Sequence, residues 1–187
     1  MAPEAYAAIY IQTAGARHAA EPTVRVGGPG WQDALNNEVA AWPNPGLSPG
    51  GWIGRFMRYL EARGAAKDFG FFSFEWYPFD NACQRTGPQL DSASALLHGS
   101  ITKLRSAGVP AGIPWIITEY GYSAHAGPAE VGLSAALFNV DAAADFLSPG
   151  GSPAVLHRYE PASPDYPPRG RATVQHMVVV PAYRGLP

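Results

Sequence analysis

The sequence predicts an α/β fold built on parallel strands, and three observations predict it. Apolar stretches of strand length alternate with longer stretches of helical period along most of the 187 residues. The run Ile113-Pro114-Trp115-Ile116-Ile117-Thr118-Glu119-Tyr120-Gly121 is continuously apolar until its end, as a strand buried on both faces must be. The 21 glycines and 19 prolines fall mostly in blocks between these segments, so long ordered loops follow the strand ends. Glu119 closes the apolar run. A carboxylate there is costly unless it is used or paired, and the C-terminal ends of parallel strands are where reacting groups gather.

The elements follow in order. Ala5, Tyr6, Ile9, Tyr10 and Thr13 share one side of a helical wheel, so the chain opens on a helix. Residues 23–28 (TVRVGG) read as a short strand, and a loop carrying Trp31, Trp42 and the prolines of 43–49 follows. Trp52, Ile53, Phe56, Met57 and Leu60 outline an amphipathic helix that stops near Gly64. Residues 71–77 (FFSFEWY) form the second strand. Asp91 or Ser92 is placed to cap the next helix, whose core face is Ala93, Leu97, Ile101 and Leu104, with Gly108 closing it. The Glu119 strand is third. Leu133, Ala136, Leu137, Val140 and Ala144 mark another helix, and residues 154–159 (AVLHRY) a fourth strand. Strict alternation of this kind calls for right-handed helical crossovers between parallel strands.

Composition excludes several functions. The 15% charged fraction is low against the usual ~25%. With 13 basic and 15 acidic residues and no basic cluster, there is no electrostatic case for nucleic acid or an anionic membrane surface. No segment is apolar for long enough to span a bilayer, and no signal peptide is legible, so location stays open. Cys83 is the sole cysteine, which excludes an internal disulfide and a cysteine-rich zinc site. Metal-ligand spacing, a phosphate-binding glycine loop and a nucleophile-elbow serine are all missing, so neither metal nor cofactor is expected.

Side chains alternate across a strand. In the second strand Ser73, Glu75 and Tyr77 face one way, and Phe72, Phe74 and Trp76 face the helices. In the third, Trp115, Ile117 and Glu119 share a face. Neighbouring strands lie about 4.8 Å apart, so Glu75, Tyr77 and Glu119 are expected to converge at one mouth.

These residues resemble the C-terminal half of a (β/α)8-barrel glycoside hydrolase of the large retaining clan, which includes cellulase-like and xylosidase/iduronidase-like families. Val24-Arg25-Val26-Gly27-Gly28-Pro29 is similar to that clan's fifth strand, and Ser73-Phe74-Glu75-Trp76-Tyr77-Pro78 to its sixth. Ile116-Ile117-Thr118-Glu119-Tyr120-Gly121 is similar to its seventh. The resemblance covers roughly residues 4 to 160 and implies a half-barrel of about four parallel strands, corresponding to strands five to eight. Residues 161–187 are left as a proline-rich tail with a short strand at 177–180. The resemblance also implies that Glu119 is the nucleophile and Tyr77 the tyrosine that orients it.

Two departures accompany the match. The clan's sixth strand carries a histidine two positions before the tyrosine, where this chain has Glu75. The clan's general acid is a glutamate after an asparagine at the end of strand four, and the resemblance leads to the expectation that this chain starts just beyond that point. Asn36-Asn37-Glu38 mimics the motif but has no apolar strand before it.

The bound sugar is expected to meet Glu75, Trp31, Trp42, Trp115, His125 and His157, through carboxylate, stacking and imidazole contacts. Glu75 is read as a substrate-binding or pKa-tuning group, because an adjacent strand places it on the same flank of the sugar as Glu119. The implied activity is retaining hydrolysis of a β-linked glycan or glycoside. Two alternatives stand beside it: a catalytically inactive sugar-binding relic, and a non-enzymatic α/β scaffold. Half a barrel has unpaired sheet edges, so self-association is expected.

Overall fold

The computed structural model describes residues 1–32, 34, 51–79, 86–124, 132–157 and 178–180. Helices and strands alternate through them: α1 (Pro3–Ala20), β1 (Gly28–Trp31), α2 (Gly51–Glu61), β2 (Phe72–Trp76), α3 (Thr86–Ser106), β3 (Trp115–Tyr120), α4 (Leu133–Leu147) and β4 (Ala154–Leu156), with β5 (Val178–Val180) last. The strands hydrogen-bond in the order β1-β2-β3-β4-β5. β1 runs parallel to β2 and β3 parallel to β4, whereas β5 is antiparallel to β4. Four parallel strands with helices between them give the predicted α/β class, consistent with part of a (β/α) barrel. Among the described residues no helix is long and apolar enough to cross a membrane.

The chain divides into two units, Met1–Phe74 with Gly99–Pro114 and Glu75–His98 with Trp115–Pro187, so that β2 and α3 each belong to both. In the first unit α2 follows its sequence pattern: Trp52, Ile53, Phe56, Met57 and Leu60 are all buried. The helix ends in a turn with Gly64 at φ +66°, a backbone angle that glycine adopts without steric cost.

α1 is rotated from the expected face. It buries Pro3, Ala7, Tyr10 and Ala14, while Ile9 is 51% exposed. The small Ala7 and Ala14 allow α1 to approach α2 closely, and aromatic rings fill the space between them. Phe56 lies 5.7 Å from Tyr6, Tyr10 and Trp52 and 5.5 Å from Phe69. Arg55 grips Glu4 with two bonds of 2.7 and 2.6 Å, and this guanidinium holds the Glu4 carboxyl below its usual range. The Tyr10 hydroxyl lies 3.0 Å from the Val26 carbonyl and 2.9 Å from that of Asp68. Burial and the Asp68 charge push its ionisation upward.

The first strand is displaced along the chain. The expected strand covered 23–28, yet β1 begins at Gly28. Backbone bonds Gly70 N–H to Val26 O (2.7 Å) and Gly28 N–H to Phe71 O (3.2 Å) prepare the ladder just before it. Val24 remains 38% exposed, so the branched residues that suggested a strand are not its buried part.

In the second unit α3 starts at Thr86, ahead of the expected cap at Asp91 or Ser92. Pro88 sits in the first turn, where its missing N–H costs nothing. The Ser92 hydroxyl donates to the Gln89 carbonyl (3.0 Å) and so caps nothing. Leu97, Ile101 and Leu104 are buried as expected, and Ala93 is half-buried.

α4 corrects the helix phase more sharply. Ala135, Phe138, Ala142 and Phe146 are its buried face. Leu133 (75%), Leu137 (50%) and Val140 (68%), taken from sequence as the helix's apolar signature, are exposed. The helix is apolar nearly all round, so periodicity offers two faces, and burial favours the one with two phenylalanines. Phe138 meets Phe79 and Tyr122 edge-on or tilted, and all three rings are buried. Residues 178–180 form the strand foreseen in the tail; the rest of that tail lies outside the described residues.

Candidate functional site

The site is assembled in the second unit by three neighbouring strand ends. Backbone bonds hold them together: the Gly121 N–H donates to Trp76 O (3.2 Å), and the His157 N–H donates to Tyr120 O (2.9 Å). Each bond lies at the point where a strand gives way to a loop. Tyr77 just after β2, Glu119 near the end of β3 and His157 just after β4 are thereby brought side by side.

β2 alternates as its sequence predicts. Phe72, Phe74 and Trp76 are almost fully buried, and Glu75 and Tyr77 are half-buried. Trp76 lines a groove of about 260 Å³ with Leu90 and Leu97 of α3 and Phe138 and Ala142 of α4, so it belongs to the helix side. Ser73, in the first unit, is buried and accepts the Gly30 N–H at 3.0 Å.

β3 does not alternate to its end. Ile117 pairs with Ala154 and Tyr120 with Leu156, so three steps on β3 match two on β4. This irregularity falls in the stretch that carries the carboxylate, and bulges are a common device for re-aiming a side chain at a sheet end. Glu119 stays about one-third exposed, 35% by its side chain.

The Tyr77 hydroxyl donates to Glu119 Oε2 at 3.0 Å. His157 Nδ1 approaches the same oxygen at 3.4 Å, longer than a hydrogen bond but within ion-pair range, and the imidazole is buried. The Tyr77 and His157 rings meet edge-on, with centroids 5.8 Å apart and planes at 88°. A side chain at position 121 would crowd this arrangement, because a Cβ on Gly121 would stand 3.3 Å from Tyr77 Cε1. A further bond, from the Tyr122 hydroxyl to Gln89 Oε1, ties the loop after β3 to α3.

Glu75 joins the cluster electrostatically. Its ionisation is pushed upward, first by burial and then by the charge of Glu119. A carboxyl whose folded pKa is raised binds more protons in the folded state, so stability falls as pH rises from the ordinary carboxyl range through the raised value. Glu75→Gln is therefore expected to be neutral in acid and stabilising at neutral pH. Melting temperatures of the two proteins measured across pH 3 to 7, about the range in which carboxyl groups titrate, should diverge steadily; parallel curves would refute the shift.

The remaining sequence candidates are distributed differently. Trp115 is 5% exposed at the start of β3, four residues before Glu119, so it is a core residue with no open face for a sugar. Trp31, in the first unit, packs on Trp52 with centroids 5.1 Å apart, which anchors the end of β1. Trp42 and His125 lie outside the described residues, as do Cys83 and Asn36-Asn37-Glu38. His157 was expected to line the cleft; its contact with Glu119 was not foreseen, because it depends on the bulge in β3. Among the described residues no group of His, Cys, Asp and Glu is arranged to hold a metal ion.

No family model matches the chain, and no curated protein matches it. Among solved structures it is similar to AbfB, a family 51 α-L-arabinofuranosidase from Bifidobacterium longum, at 21% identity and a TM-score of 0.37. The match covers 65% of this chain and 23% of that one. The likeness to a glycoside hydrolase is a loose one.

Proposed function

We propose that this chain carries the nucleophile half of a retaining glycoside hydrolase site, with Glu119 as the attacking carboxylate and Tyr77 as the residue that orients it. The observation that supports this reading is the 3.0 Å bond from Tyr77 to a partly exposed carboxylate at a parallel strand end. A hydroxyl donor fixes the carboxylate's rotation, while the exposure leaves room for a sugar. In the reaction a Glu119 oxygen bonds to the anomeric carbon as the bond to the leaving oxygen breaks with its electron pair. Water later attacks the same carbon and releases Glu119. Glu75, whose ionisation is pushed upward by burial and by the charge of Glu119, stands beside the nucleophile as a substrate-binding carboxyl.

The experiment is covalent trapping with 2,4-dinitrophenyl 2-deoxy-2-fluoroglycosides of several sugars. Dinitrophenolate departs without being protonated, so the trap reads the attacking carboxylate alone. The expected result is a mass gain of one fluoroglycosyl group, mapped to the peptide containing Glu119. A label elsewhere, or none with any sugar, would overturn the assignment; sugar binding without labelling would favour the inactive relic.

A further inference from the structure

We infer that His157 is a second positioning residue for Glu119, and that it and Tyr77 together assign the two carboxylate oxygens different tasks. The inference rests on the nucleophile reading above for its consequence in reaction, but its structural content stands apart from it. Both Tyr77 Oη and His157 Nδ1 converge on Oε2, at 3.0 and 3.4 Å. The imidazole is 8% exposed by its side chain, and its backbone N–H is bonded to Tyr120 O, so its position is fixed from both ends. Its edge-on contact with Tyr77 keeps the two groups in register.

The chemistry follows from this geometry. A bare nitrogen lone pair facing a carboxylate oxygen is repulsive, so Nδ1 carries a proton toward Glu119, whether the ring is neutral or an imidazolium. Oε2 is then the anchored oxygen. Oε1, on a side chain one-third exposed, is the oxygen that meets the anomeric carbon. The titratable groups on the adjoining strands are Glu75 and Tyr77 on the β2 side and Glu119 and Tyr120 on β3. Of these, Glu119 is the charge that His157 faces at contact distance.

The test has one arm that needs no catalysis. The full chain labelled with ¹⁵N-histidine is titrated by NMR, the His157 signals being assigned by their loss in His157→Asn. In the wild type, Nδ1 should be the protonated nitrogen of the neutral ring. In Glu119→Gln the neutral ring should shift toward the Nε2–H form. An Nε2–H tautomer in the wild type, or a tautomer balance unmoved by Glu119→Gln, overturns the inference.

The second arm is the rate of fluoroglycoside trapping. His157→Phe should slow it about tenfold, the scale of one lost contact to a charged group, while inhibitor affinity stays within about twofold. His157→Asn should recover most of the rate, because its amide nitrogen can take the place of Nδ1, and His157→Gln should not. Equal rates in the Asn and Gln variants would reduce His157 to a packing residue. If the wild type is never labelled, the hydrolase reading fails, and the NMR arm still decides the pairing.

Discussion

Replacing Glu119 with Gln is expected to reduce hydrolysis or trapping of activated aryl glycosides by at least about a thousandfold, the scale on which removal of a nucleophile acts. The amide keeps the size of the side chain and can still bond to Tyr77, so the fold should be retained and the loss should fall on the chemical step. A second variant makes the role specific. Glu119→Ala opens space beside the anomeric carbon, and added azide should enter it and attack from the face the carboxylate used. A new carbon–nitrogen bond then forms as the aryloxide leaves, giving a glycosyl azide of inverted configuration. Azide rescue in Glu119→Ala with no rescue in Tyr77→Phe would separate attacker from orienter. A Glu119→Gln protein that still labels at the wild-type rate would end the assignment.

The largest effect on stability is expected from Phe56→Ala. Phe56 is 1% exposed and touches four other aromatic rings in the first unit. Truncating a buried phenylalanine costs about 3–5 kcal/mol, through lost transfer energy and the cavity left behind. Whole domains are stable by only about 5–15 kcal/mol, so the variant should melt at least ~6 °C lower. Ile9→Ala, on the exposed side of α1, is the control and should change the melting temperature little. Equal melting temperatures for the two variants would show that the aromatic cluster does not hold the unit together.

What the sequence made legible follows from how strongly each pattern was constrained. α2 could be read outright because its apolar residues form one narrow stripe between charged ones. α4 could not, since apolar side chains surround it and only packing volume distinguishes its faces. β1 was misplaced because the strand itself is Gly28-Pro29-Gly30-Trp31, three of its four residues having little strand propensity, while the branched residues that suggested it lie before it. The meeting of Glu119 and Tyr77 was legible because both stand at the ends of neighbouring strands, whatever the bulge does between them. His157 was placed near the cleft, but its contact with Glu119 requires the offset between β3 and β4, which no local pattern encodes. Trp115 was expected on the face of Glu119, yet four residues of strand put it about 13 Å further down. A shared face does not mean a shared depth.

β5 changes what the sheet can join. A closed ring of parallel strands, as in a (β/α)8 barrel, needs every member to run in the same direction, and β5 runs against its neighbour β4. The hydrogen-bonding side of β4 that a further parallel strand would need is therefore taken. Short and reversed, this last segment occupies the border on which a fifth parallel strand would otherwise lie.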